Sequence, residues 1–175
     1  IMNSKNVRIH YDNARHYTQE ERKTLETYNL RAFHNVKKTA LLEAYVDVDD
    51  VVLDLGGGKG GDLWKFSKRN VNYVLNADLS RKCLKEARRR YDEMCAKQQT
   101  TMEFETQEVD MTDLSSIRNV LAPDFYDVIT CFFALHYCFE NLRTAEKLLQ
   151  MIAESLLTKG GHFICIVPDE WQVRG

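Results

Sequence analysis

The chain has 175 residues, about the size of one domain, and its 44% apolar content is enough for a substantial core. A formal net charge of -2 excludes a global basic field, so any contact with nucleic acid has to be local. Cys83, Cys95, Cys131, Cys138 and Cys165 form no close CxxC pair and read as reduced intracellular thiols, against disulfides and zinc.

No apolar stretch approaches a membrane span, the start lacks a signal-peptide pattern, and Ile1 precedes the first Met, as in a piece of a longer product. Residues 1–17 read as an N-terminal segment ahead of a core over 18–175. The periodicity predicts a helix over 18–45, with Leu25, Tyr28, Ala32, Phe33, Val36, Ala40 and Leu41 on roughly one face. "VVLDL" (51–55) reads as a strand buried on both sides, "GDLWKFSKR" (61–69) as a helix and "NYVLNAD" (72–78) as a second strand. A long helix follows over 80–97 with Ser80 at its N-cap, then a strand over 102–110 and a short helix over 112–121. "YDVITCFFAL" (126–135) reads as a fourth strand, 142–157 as a helix ended by "TKGG", and "HFICIVP" (162–168) as a fifth strand. This alternation predicts an α/β fold with a doubly wound, mostly parallel sheet of five strands. Ligands of such sheets sit at the carboxyl ends of the strands.

The glycines of "VVLDLGGGKGGDL" (51–63) admit three readings. A phosphate-binding P-loop fails, because Gly60 follows Lys59 and Leu53 stands where the first glycine belongs. The dinucleotide pattern GxGxxG matches at Gly56, Gly58 and Gly61, with Asp78 at a distance suited to a ribose, but by itself that match is weak. Asp54 tips the choice: a carboxylate inside an apolar strand end needs a partner. Acid-x-Gly-x-Gly-x-Gly resembles the first motif of class I methyltransferases, which bind S-adenosylmethionine in a Rossmann-like fold.

The resemblance then narrows. "LDLGGGKGGDL" is similar to the "LDLGCGKGGDL" of messenger RNA cap guanine-N7 methyltransferases, with Gly57 in place of the usual Cys. "CFFALHYCF" (131–139) resembles the family's Q-F-x-x-H-Y-x-F stretch, with Phe132 in place of Gln. "GGHFICIVPD" resembles its fifth strand, and "LRAFHNVKKTALL" (30–42) its "RNFNNWxKxxLI" helix, with Ala32, His34 and Val36 replacing Asn, Asn and Trp.

The resemblance implies a set of roles. Asp54 orders the glycine turn and helps meet the methionine ammonium. Gly56 and Gly58 form the turn, Asp78 takes the ribose hydroxyls, and Asp110 sits by the adenine amino group. Lys38 reaches the cofactor's carboxylate, and Phe133 belongs to the same set. On the cap side it implies Asn35, Lys59, Arg90, His136, Tyr137 and Pro168, with Lys59 and Arg90 on the triphosphate and His136 and Tyr137 against the guanine. Arg88, Arg89 and Arg90 point in different directions on a helix, so at most one or two face the site. Lys37 reads as a surface lysine, and Phe132 and Phe139 as core aromatics. Guanine N7 carries no proton at neutral pH, so proximity suffices and no catalytic base is expected.

The expected cofactor is S-adenosyl-L-methionine, leaving S-adenosyl-L-homocysteine, with no metal. The expected partners are the GpppN end of 5'-capped RNA and other capping-enzyme domains, with no membrane. The expected location is the nucleus, or the cytoplasm for a viral enzyme. The family continues past its fifth strand with two more strands and an insertion that supplies a glutamate and a tyrosine to the guanine, so five strands and an exposed edge are expected here. Two rivals stay open: a methyltransferase for another acceptor, and a non-enzymatic module that binds the cofactor or a partner and regulates. An NAD-dependent oxidoreductase ranks third, disfavoured by Asp54.

Overall fold

A computed structural model describes residues 4–13, 28–118 and 125–168. In chain order these form helix α1 (Ser4–Asn13), α2 (Tyr28–Tyr45), β1 (Val51–Leu55), α3 (Leu63–Lys68), β2 (Tyr73–Asp78), α4 (Arg81–Ala96), β3 (Glu103–Glu108) and α5 (Leu114–Arg118). Strand β4 (Tyr126–Phe132), a 3-10 helix (Leu135–Glu140), α6 (Leu142–Met151), a π-helical turn (Ile152–Leu156) and β5 (Leu157–Ile166) follow. The five strands are all parallel, in the order β3-β2-β1-β4-β5.

The central strands are apolar on both faces because helices cover both. Leu53, Leu55, Leu75, Ile129 and Cys131 point to one side, against Ile117, Ala145 and Leu148. Val52, Val74 and Val128 point to the other, against Leu42, Leu63, Phe66 and Ala87. Ser80 caps α4 as expected, its hydroxyl oxygen accepting from the Cys83 amide at 3.1 Å. This orients the start of α4 beside the end of β2.

Three features differ from the sequence expectation: the buried face of one helix, the end of the fourth strand and the start of the fifth. The helix over 18–45 is described only from Tyr28, and within it Tyr28, Ala32, Phe33, Val36 and Ala40 are exposed. α2 meets the body along Lys38, Leu42 and the following Val46, a stripe of every fourth residue toward its end, so the longer apolar stripe faces outward. Leu25 and residues 119–121 of the short helix lie outside the described residues, as does the boundary at 17/18. The fourth strand stops at Phe132, because Phe133 adopts φ 60° and turns the chain into the 3-10 helix. "TKGG" does not end a helix. α6 stops at Met151, and residues 158–161 are already in β5, with the register slipping between Tyr126↔Leu157 and Val128↔His162. Phe139 is half exposed rather than core, whereas Phe132 is buried.

α1 had no counterpart in the sequence reading. It is held on α4 and β3: the Ser80 hydroxyl bonds the Asp12 carboxylate, Lys82 Nζ donates to the Asp12 carbonyl at 2.6 Å, and Arg8 pairs with Glu108 at 3.1 Å.

Candidate functional site

The turns after β1, β2, β3 and β4 meet around one cavity of about 400 Å3. Gly56, Gly58, Asp78, Asp110, Phe133 and Tyr137 line it, and α2 contributes Lys38. Backbone geometry explains the first glycine. Gly56 has φ 71°, its amide donates to the Ala77 carbonyl at 2.7 Å, and a Cβ there would lie 2.5 Å from the Ala134 Cβ.

The three acids occupy three different environments. Asp78 accepts the Gly58 amide on Oδ2 at 2.9 Å and the Ser80 amide on Oδ1 at 2.8 Å, which ties the glycine turn to the start of α4. Burial raises its pKa above the ordinary value. Asp110 accepts from Thr112 on Oδ1, at 2.9 Å from the amide and 2.6 Å from the hydroxyl, so it is a turn aspartate that also lines the cavity. Asp54 lies under the turn, 4% exposed, with Oδ1 accepting from Thr130 Oγ1 at 2.7 Å. Burial, then the neighbouring Asp62, pushes its pKa up to about 7.

Lys38 lines the cavity, but its ammonium pairs with Asp62 at 2.5 Å. Asp62, itself buried, also binds Lys65 at 2.7 Å, and Lys65 donates to Asn35 Oδ1 at 3.2 Å. Asn35 and Lys38 are thus joined to the glycine turn through Asp62. That acid was visible in "GGDL" and carried no assignment in the sequence reading.

The residues read as cap contacts are dispersed. Tyr137 lines the cavity, and the His136 ring lies against it at 4.1 Å between centroids. His136 Nδ1 is buried without a hydrogen-bond partner among the described residues, and burial lowers its pKa from the ordinary 6.5, which disfavours the charged imidazolium. Arg90 is bound by Glu86 at 2.8 Å, Arg89 pairs with Glu86 and Glu93, and Arg88 donates to the Phe104 carbonyl at 2.7 Å. Lys59 is half-buried in the turn beside Gly60, which packs against Ala87 of α4, one helical turn before Arg90. Asn35 and Pro168 are exposed. Lys59, Arg90, Asn35, His136 and Pro168 are not part of the cavity wall.

The wall also holds residues that sequence reasoning missed. Val7 and Arg8 reach it from α1, Met111 and Thr112 follow Asp110, and Asn141 and Thr144 come from the start of α6. None carries a local signal, because tertiary packing alone brings them to the strand ends. No helix among the described residues is long and apolar enough to cross a membrane.

Solved structures share the architecture. An S-adenosylmethionine-dependent methyltransferase from Mesorhizobium loti superposes with a TM-score of 0.53 at 22% identity, over 82% of this chain and 54% of that one. Phosphoethanolamine N-methyltransferase 1 of Haemonchus contortus, solved with phosphoethanolamine and S-adenosylhomocysteine, gives 0.61 at 14% identity, over 93% of this chain and 33% of that one. At these identities the likeness establishes the Rossmann-like fold of class I methyltransferases. In sequence, the mRNA cap guanine-N(7) methyltransferase 1 of Arabidopsis thaliana is 31% identical over 172 residues, covering 95% of this chain and 46% of the relative. The Saccharomyces cerevisiae mRNA cap guanine-N(7) methyltransferase is 30% identical over 175 residues, covering 96% and 39%. The chain therefore spans less than half the length of these relatives. With residues 1–174 matching the mRNA (guanine-N(7))-methyltransferase domain, the chain belongs to that methyltransferase family.

Proposed function

We propose that the cavity binds S-adenosylmethionine and that the protein transfers its methyl group to N7 of the guanosine cap of messenger RNA. The observation that carries this reading is the set of acceptors at the strand ends. Asp78 and Asp110 line the cavity with Asp54 beneath its glycine turn, while the cations of the described wall, Lys38 and Arg8, are already paired with Asp62 and Glu108. Such a wall suits a ligand that brings hydroxyls, an amino group and positive charge. It disfavours the pyrophosphate of a dinucleotide, which needs free donors.

When bound, S-adenosylmethionine supplies a sulfonium methyl. The second lone pairs of the Asp78 oxygens are open to ribose hydroxyls, and Asp110 to the adenine amino group. The close approach of Gly56 to Ala134 lets backbone stand where side chains would otherwise intrude. The acceptor N7 carries no proton, so the protein's task is to position the guanine and tolerate positive charge on it. Tyr137 on the cavity wall, with His136 packed on it and its charged form disfavoured by burial, supports this reading. Asn35, Lys59, Arg90 and Pro168 complete the proposed cap contacts, with Lys59 and Arg90 on the triphosphate. A nuclear location, or a cytoplasmic one for a viral enzyme, and association with other capping-enzyme domains follow from the same proposal.

Two measurements test it. S-adenosylhomocysteine should bind in calorimetry, and Asp78→Ala should lose about 1.5–3 kcal/mol of that affinity, the worth of hydrogen bonds to a charged group. Labelled S-adenosylmethionine with GpppN-capped RNA should yield N7-methylated caps. Unchanged affinity in Asp78→Ala, or methyl transfer to another acceptor in preference to the cap, refutes the respective half.

A further inference from the structure

Strand register lines up a polar rung inside an apolar core. Asn76 of β2, Asp54 of β1 and Thr130 of β4 are direct partners, on the face formed by Val74, Val52 and Val128. Asn76 is 1% exposed. Its Nδ2 donates to the Gly58 carbonyl at 3.1 Å, which orients the amide, since a flip would set oxygen against oxygen. That leaves Asn76 Oδ1 buried without a partner among the described residues.

Gly57 shows what Oδ1 faces. A Cβ built there would lie 2.3 Å from Asp54 Oδ2 and 2.4 Å from Asn76 Oδ1, so both oxygens flank one small space that only a missing side chain leaves open. Two acceptors that face one small space disfavour a full carboxylate charge there, and a proton on one of them lets it donate to the other. The Thr130 hydroxyl cannot supply it, because its hydrogen is donated to Asp54 Oδ1. The charged groups acting on Asp54 are Asp62, Lys38 and Asp78, and the single ammonium among them is held by Asp62.

We propose that in the ligand-free protein on the acid side of neutrality Asp54 is the neutral acid, donating its proton from Oδ2 to Asn76 Oδ1, and that a cationic ligand in the adjoining cavity, lined by Gly56 and Gly58, is taken up with loss of this proton to solvent. The step balances: the Asp54 O–H bond breaks, its electron pair remains on Oδ2 as carboxylate charge, and the proton goes to buffer. The ligand-free core then holds no uncompensated charge at this position. The negative charge forms when positive charge arrives to meet it. A carboxyl titrating at about 7 is what such an arrangement requires. The identity of the cation rests on the S-adenosylmethionine reading; the position of the proton does not.

Carboxyl-carbon NMR of the ligand-free protein, with the Asp54 signal assigned by its loss in Asp54→Asn, should show a midpoint near pH 7. A midpoint below 5 overturns the proposal. Asn76→Ala removes the acceptor and makes room for water, and should lower the midpoint by a pH unit or more; an unmoved midpoint overturns the role of Asn76. Calorimetry with S-adenosylhomocysteine, in two buffers of different ionisation enthalpy at each pH (phosphate and Bis-Tris in the acid arm, Tris and tricine in the alkaline arm), should show release of more than half a proton at pH 6 and close to none at pH 8.5. Binding without release at pH 6 overturns the coupling and leaves the cofactor reading standing. Absence of binding overturns the cofactor reading, while the ligand-free titration still decides where the proton sits.

Discussion

Asp54→Asn should stabilise the ligand-free protein at alkaline pH while weakening its ligand. An amide keeps the carboxyl's shape, accepts from Thr130 through its oxygen and offers Nδ2 hydrogens to the unpartnered Asn76 Oδ1, so both neighbours are satisfied without charge. The magnitude follows from proton linkage. The wild-type carboxyl titrates at about 7 when folded against 3.8 for an ordinary Asp, because burial and Asp62 disfavour its charge. Between those values the folded state keeps a proton that the unfolded state has lost. This group's contribution therefore falls as pH rises from about 4 to 7, then levels off. At about 1.4 kcal/mol for each tenfold change in proton affinity, the full difference is about 4 kcal/mol. The amide does not titrate, so between pH 5 and pH 8.5 the variant should gain about 2.5 kcal/mol on wild type. Urea unfolding of both proteins at the two pH values measures this, and the comparison cancels titrations common to both. S-adenosylhomocysteine affinity should fall tenfold or more in the variant at pH 8.5. A stability difference that stays constant with pH refutes the reasoning.

Gly56→Ala places a Cβ 2.5 Å from the Ala134 Cβ at φ 71°, and should cost about 2 kcal/mol or more of stability with loss of S-adenosylhomocysteine binding; an unaltered unfolding midpoint refutes it. Lys59→Ala with Arg90→Ala should weaken cap-analogue binding and flatten its salt dependence, leaving S-adenosylhomocysteine affinity largely unchanged; an unchanged slope across a salt series makes both ordinary surface charges. Tyr137→Ala should slow methylation of a capped RNA far more than it weakens S-adenosylhomocysteine, and an equal loss of both, by kinetics and calorimetry, would mean that Tyr137 only shapes the cofactor cavity.

Local chemistry in the sequence determined a good deal. Apolar runs of strand length marked β1 and β2 nearly to the residue, Ser80 marked the start of α4, and acids at successive strand ends marked Asp54, Asp78 and Asp110, because each signal lies within a few residues of what it specifies. Which stripe of α2 is buried was decided only when Leu42, Val46 and Lys38 met β1 and Asp62, so the longer apolar stripe misled. The reach of β5 back to Leu157 was likewise decided by pairing with Tyr126, since "TKGG" has no strand preference of its own. The presence of α1 at the cavity and the partnering of Lys38 by Asp62 are tertiary contacts to which a strand-end rule has no access, whereas the engagement of Arg90 by Glu86 is an i,i+4 helix pair whose spacing the sequence carries. The polar rung through Asn76, Asp54 and Thr130 is the strongest case: its members are far apart along the chain, and only sheet register makes them neighbours inside a core that would otherwise exclude them.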